Sequence, residues 1–329
     1  MTRRLALLIG LLVISVTSVW LIGPSGARPS AGETFTPPNA AQRSAAVGSL
    51  RGASSIERAS FDAASKAFSP IPMPEGSDWL ANHFEIGQTF EQYCRSGPNR
   101  PSPKRSTIYI LPIGGLEESH GIQLDEIVRY ANAFFDMPVK ELPAVGDQGL
   151  PITERRNAGR RQFLAPDILN WLGPRVPSDA YCLLAVTMTD LYPDPDWNFV
   201  FGLASLRDRV GVYSFARYDP RSNDQPWDQS SRAIMMRRSC HVLAHEAGHM
   251  FGIKHCVHFH CLMNGANHLD EADSQPSFLC PVCLRKLHWA TDCDLEERYR
   301  KLKSFSEDVG WAEESKWWTE RLQRIRVVD

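Results

Sequence analysis

The segment His245-Glu246-Ala247-Gly248-His249-Met250-Phe251-Gly252-Ile253-Lys254-His255 contains the residues around which we expect this chain to fold. Its first part continues a periodic stretch, residues 231–251, for which the sequence predicts a helix. Residues four positions apart share one face of a helix, so His245 and His249 would point together toward one ion. Glu246 would then lie beside a water molecule held by that ion and would serve as its general base.

The spacing after the second histidine adds a third candidate ligand. Gly252 lies three residues beyond His249, and His255 lies three residues beyond Gly252. A third histidine on the same continuous helix would point away from the ion, so the chain must turn, and glycine adopts positive φ without steric cost. Three histidines leave one coordination position open for water, which catalysis requires. The pattern H-E-x-x-H-x-x-G-x-x-H therefore predicts a catalytic zinc ion.

A cysteine cluster follows the histidines and predicts a second, structural zinc ion. Its spacing is C-x4-C and then C-x2-C, formed by Cys256, Cys261, Cys280 and Cys283. Four thiolates around one tetrahedral ion leave no vacant position, so this ion would be structural. Two disulfides are the alternative, favoured if the domain is exported. Met263 lies between the two cysteine pairs and is expected in a tight turn beneath the metal histidines; the alternative, compatible with this, is a core methionine that fills a gap.

Together these motifs resemble the archaemetzincin signature. The likeness extends to residues 190–193, 197–202 and 214–218, and it covers about residues 79–303. The resemblance implies a metzincin-type α/β peptidase fold, a catalytic zinc on the three histidines and a four-cysteine zinc site. It also implies a zinc-dependent peptidase with aminopeptidase-like activity on small peptides. It does not imply the apolar segment at the N-terminus, because the familiar eukaryotic members look intracellular.

The remaining patterns predict an α/β fold with a mixed, mainly parallel sheet. Strands and helices alternate along the chain, with strands at residues 107–111, 139–142, 181–188 and 210–216 and helices at residues 78–94, 124–135 and 166–172. The last of these strands is a candidate edge strand for pairing with an extended peptide, or else it only completes the sheet.

Composition along the chain divides it into four parts. We expect a signal peptide or membrane anchor at 1–27, a flexible linker at 28–75, the peptidase domain at 76–305 and a C-terminal helical tail at 306–329. Within the peptidase domain, an upper subdomain would extend to about Gly252, and a lower subdomain with the four-cysteine zinc site would follow.

The N-terminus suggests export. Arg3 and Arg4 precede an apolar run, residues 5–22, that is about long enough to cross a bilayer. Positive charges before the run place the rest of the chain outside the cytosol, as a secreted or single-pass membrane-anchored protein of the secretory pathway. A misassigned start codon is the alternative and would leave a cytoplasmic protein.

Charge and composition limit the partners. A net charge of −2 gives no broad basic surface, so nucleic acid is not expected as a partner, and 43% hydrophobic residues suffice for a globular core. We expect a monomer that acts on peptides; the alternative is a catalytically inactive, zinc-stabilised peptide-binding module. His241, one turn before the first ligand, is interpreted as structural, and Arg237 and Arg238 as a solvated helix face.

Overall fold

A computed structural model describes residues 34–116, 122–219 and 228–326. The predicted signal or anchor, and the start of the predicted linker, lie outside the described residues. The helices, in chain order, are α1 Ala40–Val47, α2 Ser55–Ser60, α3 Trp79–Asn82, α4 Phe90–Arg95, α5 Leu124–Phe135, α6 Ala165–Leu172, α7 Gln229–Met250, α8 Leu269–Ser274, α9 Pro281–Thr291, α10 Leu295–Asp308 and α11 Ala312–Arg326. The strands are β1 Thr107–Ile113, β2 Val139–Glu141, β3 Glu154–Asn157, β4 Arg160–Leu164, β5 Ala180–Thr187, β6 Asp190–Tyr192, β7 Gly202–Ser205 and β8 Val210–Ser214.

The central sheet has five strands in the order β2-β1-β5-β8-β7. All neighbours are parallel except β7, which runs antiparallel to β8. Every residue of β1, β5 and β8 is buried, as expected for parallel strands covered on both faces. A second sheet of three strands has the order β3-β4-β6. The predicted mixed, mainly parallel α/β fold is confirmed.

The two faces of the central sheet belong to two apolar clusters. Alternate strand residues point to opposite faces, so Ile110 and Leu184 join a core with α5 and α7, whereas Leu111 and Leu183 join a core with α6. Because α7 packs across the first face, the histidines at its C-terminal end lie next to the sheet rather than in an isolated loop.

The predicted linker is wrong for its described part, residues 34–75. Helices α1 and α2 both begin with a capping box, at Asn39 and Ser54. Val47 and Phe61 are buried, and α2 packs against α10 and α11. Few large apolar residues occur in this segment, but Val47, Phe61 and Phe68 are buried in the core that includes α10 and α11, and this suffices to order it.

Two further expectations are wrong. The helix predicted over residues 78–94 is two short helices, α3 and α4, because the chain between them is extended and Gly87 has φ +69°. Strand β8 lies between β5 and β7, so it is not an edge strand and the alternative holds, that it completes the sheet; the edge strands are β2 and β7.

The C-terminal segment is helical over its described residues. Trp318 and Ile325 of α11 are buried against the core, and α10 and α11 pack together. Among residues 34–116, 122–219 and 228–326, no helix is both long enough and apolar enough to cross a membrane. The apolar run at residues 5–22 lies outside these ranges.

Candidate active site

Helix α7 carries the first two histidines and ends immediately after the second. The amide of Gly252 donates to the carbonyl of His249 at 2.8 Å, and the amide of Ile253 donates to the carbonyl of Gly248 at 3.3 Å. These two bonds form a Schellman-type ending, which needs a left-handed residue, and Gly252 has φ +77°. The glycine of the motif thus performs the turn that the sequence predicts.

Two buried tyrosines fix the end of this helix. The Tyr93 hydroxyl donates to the carbonyl of Phe251 at 2.8 Å, and the Tyr181 hydroxyl donates to the carbonyl of Met250 at 2.9 Å. The last carbonyls of a helix have no partner within it, so buried ones need such donors. The hydroxyls therefore hold the chain at the point where it turns toward His255.

The three histidines come together, and each uses its Nδ1 atom for another contact. Nδ1–H of His245 donates to the carbonyl of Leu262 at 2.9 Å, and that of His249 to the carbonyl of Ile253 at 2.7 Å. That of His255 donates to a carboxylate, as described below. With Nδ1 protonated, the Nε2 atom of each neutral imidazole carries the lone pair that binds a metal.

The donor set fits zinc. The Nε2 atoms of His245 and His249 are 3.0 Å apart, and one ligand atom from each of the three histidines lies within 4.8 Å of the others. Zinc binds imidazole nitrogen at about 2.0–2.1 Å, so tetrahedral ligands lie roughly 3.4 Å apart. Burial lowers the pKa of His245 to about 3 and that of His249 well below its usual value, which keeps both rings neutral.

Glu246 is buried beside the histidines, with 7% of its surface exposed. Burial raises the pKa of its carboxyl to about 7, and the neighbouring His255 acts in the opposite direction. A divalent cation at the histidines would also oppose this shift, because it favours the carboxylate form.

Met263 lies under the metal-ligand helix. A Cβ atom at Gly248, between the two helix histidines, would lie 2.7 Å from the Met263 sulfur. The Met263 side chain is fully buried, and its carbonyl accepts from the amide of Cys256 at 2.7 Å. It therefore contacts both the helix with the first two histidines and the residue that follows the third.

The structure also brings the four cysteines together as free thiols. All four are buried, and their sulfur atoms lie within 4.8 Å of one another. The sulfur atoms of Cys256 and Cys280 are 3.5 Å apart, far beyond the roughly 2.05 Å of a disulfide but suited to two thiolates on one zinc ion. The amide of Cys280 also donates to the sulfur of Cys261 at 3.2 Å, which supports a thiolate there.

A cavity of about 70 Å³ opens beside the histidines. Its walls are largely apolar, with Phe201, Tyr218 and Val242, and they include an ion pair in which Arg238 binds Asp273 at 2.6 Å. The expectation of a solvated Arg238 is therefore wrong, because this side chain is 15% exposed and also donates to the carbonyl of Tyr218 at 3.0 Å.

Two other residues of α7, Arg237 and His241, have surroundings that match the sequence prediction only in part. Arg237 pairs with Glu314 of α11 at 3.2 Å, so it is not a purely solvated residue. His241 binds the hydroxyl of Ser277 at 2.7 Å, as a structural histidine would, but it also lines the cavity.

Two residues next to the site were missed by the sequence analysis. Glu85 accepts from Nδ1 of His255 at 2.8 Å, and Trp79 lies against the ring of His255 with 5.2 Å between centroids. Both precede the zinc-ligand motif by more than 150 residues, and no local pattern connects them to it. A carboxylate in an otherwise apolar stretch, Phe84-Glu85-Ile86, is the only signal that the sequence offers.

The fold, the three converging histidines and the adjacent glutamate are the arrangement of a zinc metallopeptidase. The pattern of Peptidase family M54 matches residues 179–289. Archaemetzincin-2 of Homo sapiens is 39% identical over 283 residues, covering 75% of this chain and 77% of that protein. Archaemetzincin-1 of Homo sapiens is 34% identical over 271 residues, covering 74% of this chain and 54% of that protein. A solved zinc-dependent peptidase from Methanocorpusculum labreanum is 26% identical, with a TM-score of 0.44, and covers 55% of this chain and 99% of that one. The chain belongs to the archaemetzincin family, and it is a metallopeptidase.

Proposed function

We propose that this chain hydrolyses peptide bonds with one zinc ion held by His245, His249 and His255, and with Glu246 as the general base. The observation that carries the proposal is the shared orientation of the three imidazoles. Each has its Nδ1 atom bound to a protein acceptor, which leaves the three Nε2 atoms for one ion.

The residues of the chain divide the work between binding and proton transfer. When bound, zinc lowers the pKa of a coordinated water to about 7 and polarises a carbonyl oxygen. Glu246 then accepts a proton from the attacking water at its carboxylate and passes this proton to the leaving amine. Its adjacency to His245 on α7 keeps the carboxylate next to the metal ligands throughout.

We further propose a second, structural zinc ion on Cys256, Cys261, Cys280 and Cys283, which makes two ions per chain. Cys256 follows His255 directly, so this ion would hold the third histidine in place through the backbone. In the same way, Met263 would support the two helix histidines from below, and Gly252 would provide the turn between the second ligand and the third.

The cavity supports a peptide substrate. It reaches Glu246, and its apolar walls suit a side chain next to the bond that is cleaved. Strand β7 is one edge of the central sheet, and Phe201, just before it, lines the cavity. An extended peptide that pairs with β7 would therefore run past the metal ligands. By resemblance to the family, we propose small peptides and aminopeptidase-like cleavage.

The test compares the full-length chain with Glu246→Gln, and Glu141→Gln serves as a control because Glu141 is exposed on β2. A library of peptides is digested, the products are sequenced by mass spectrometry, and zinc is counted in each sample. We expect Glu246→Gln to keep its zinc and to lose about 10²- to 10⁴-fold in rate, the contribution of a general base. The control should match the native chain.

The positions of the cuts test the finer proposal, since removal of N-terminal residues supports aminopeptidase-like action and internal cuts contradict it. Unchanged turnover in Glu246→Gln would refute the general base. A native chain that holds zinc and binds peptides without cleaving them would establish the alternative, an inactive peptide-binding module.

A further inference from the structure

The third metal ligand is oriented differently from the other two. Nδ1 of His245 and Nδ1 of His249 donate to backbone carbonyls, whereas Nδ1 of His255 donates to the carboxylate of Glu85 at 2.8 Å. Of the three, only His255 has a charged partner at this position. It is also the only one that lies beyond the helix, where no regular backbone holds it.

Glu85 is itself held in place. Its Oε1 atom also accepts from the indole N–H of Trp79 at 2.9 Å. Trp79 is buried, with 5% of its surface exposed, and it lies so close to Gly265 that a Cβ atom there would be 2.5 Å from the indole ring. The backbone amide of Trp79 donates to the carboxylate of Glu271 at 2.9 Å. The carboxylate of Glu85 thus has one defined position rather than a choice of rotamers.

The residues that follow Glu85 contact the segment that carries His255. Gln88 accepts from the amide of Lys254 at 3.3 Å and donates to the carbonyl of Gly252 at 3.4 Å. Its own carbonyl accepts from the buried ammonium of Lys286 at 2.6 Å. Gly87 approaches so closely that a Cβ atom would lie 2.4 Å from the Val257 side chain. Residues 79–88, which we call the N-terminal arm, therefore contact residues 252–257 along their length.

We propose that the N-terminal arm is part of the metal site and that Glu85 is a positioning residue for His255. The inference rests on the proposed zinc site. Residues 79–88 lie outside the stretch that matches the family pattern, residues 179–289, so the pattern does not assign them a role.

Glu85 acts by fixing the tautomer and the orientation of the His255 ring. A carboxylate at Nδ1 keeps the proton there, directs the Nε2 lone pair toward the ion and makes that nitrogen a stronger donor. Partners of this kind typically change metal affinity by about 10- to 100-fold. Since His255 has no helix to fix it, the loss of Glu85 should affect it more than the loss of a single hydrogen bond affects a helix ligand.

The test measures zinc affinity rather than peptide cleavage. The full-length chain, Glu85→Ala and Glu85→Gln are equilibrated with zinc buffers that set a series of free zinc concentrations, and bound zinc is counted. Glu75→Gln is the matched control, because Glu75 is an exposed glutamate just before the N-terminal arm and is not among the residues that line the cavity. Zinc on the four cysteines serves as an internal reference for an intact fold.

We expect the histidine site of Glu85→Ala to fill at about 10- to 100-fold higher free zinc, while the cysteine site and the control stay unchanged. Glu85→Gln should shift less, since its amide oxygen still accepts from Nδ1 but carries no charge. If Glu85→Ala loses zinc from the cysteines as well, it is misfolded, and Glu85→Gln decides: a shift supports the inference and no shift overturns it.

The two proposals fail in different ways. Equal zinc affinity in the native chain and Glu85→Ala, with normal peptide cleavage in both, overturns the role of Glu85 alone. A native chain that binds zinc on the histidines but cleaves no peptide overturns the peptidase proposal, and the affinity of Glu85→Ala then still supports or overturns the role of Glu85.

Discussion

Gly265 offers a sharp test of the packing beside the metal site. Replacing it with alanine places a Cβ atom 2.5 Å from Cδ1 and 2.6 Å from Nε1 of Trp79. No real Cβ atom approaches an aromatic ring so closely, and this ring is rigid and buried. Trp79 must therefore move, which strains its contacts with Glu85 and with the ring of His255.

The expected change in stability of Gly265→Ala follows from two opposing effects. Overpacking of a filled core costs about 1–3 kcal/mol. A glycine-to-alanine change without strain stabilises by about 0.4–1 kcal/mol, because the unfolded chain loses freedom. Gly76 provides the second effect alone, since its added Cβ would meet nothing within 4 Å and its φ is not positive. We expect Gly265→Ala to be less stable than Gly76→Ala by about 1–3 kcal/mol.

The assay is urea unfolding followed by circular dichroism, with the same excess of zinc in every sample. A second background, Trp79→Ala, removes the obstacle and itself costs about 3–5 kcal/mol. In that background Gly265→Ala should behave like Gly76→Ala, so the two positions are coupled by about 1–3 kcal/mol. The same cost for Gly265→Ala with and without the indole ring would refute this packing.

Two further predictions concern parts of the chain whose roles the sequence left open. Phe61→Ala should destabilise the protein by about 3–5 kcal/mol in the same urea assay, because Phe61 is buried. The control Ile86→Ala, at an 80% exposed position, should change the stability by less than about 0.5 kcal/mol. If Phe61→Ala leaves the stability unchanged, this segment is a flexible linker after all. Cys280→Ser should lower the zinc content by one ion per chain, and it should weaken zinc binding at the histidine site, which shares a segment with Cys256. The control Cys94→Ser, outside the cluster, should keep all its zinc. Full zinc retention in Cys280→Ser would contradict the four-thiolate site.

The sequence predicts well the elements whose pattern is strong and local. The sequence predicts helix α5 over residues 124–135, as the structure has it, because its apolar residues recur at helical spacing. Strands β1 and β5 are apolar runs bounded by turn residues. The histidine site and the cysteine site are both predicted from fixed spacings in the sequence, one around a helix end and the other around a short loop. Such signals depend on neighbours in the chain.

Features that depend on distant parts of the chain were missed. Strand β3 is the polar stretch Glu154-Arg155-Arg156-Asn157, which pairs with β4, and β4 pairs in turn with β6 further along the chain. Helices α1 and α2 are ordered because they are buried against helices near the C-terminus. The contact between Glu85 and His255 joins residues 170 positions apart, and only the folded chain shows that the acid faces the imidazole.

Diffraction from crystals of the zinc-loaded protein, recorded on both sides of the zinc absorption edge, tests the central claim most directly. We predict one anomalous peak in contact with Nε2 of His245, His249 and His255, next to the carboxylate of Glu246, and a second peak among the four cysteine sulfurs. A map with no zinc at the three histidines, or with their rings turned so that Nδ1 faces the ion, would contradict the account.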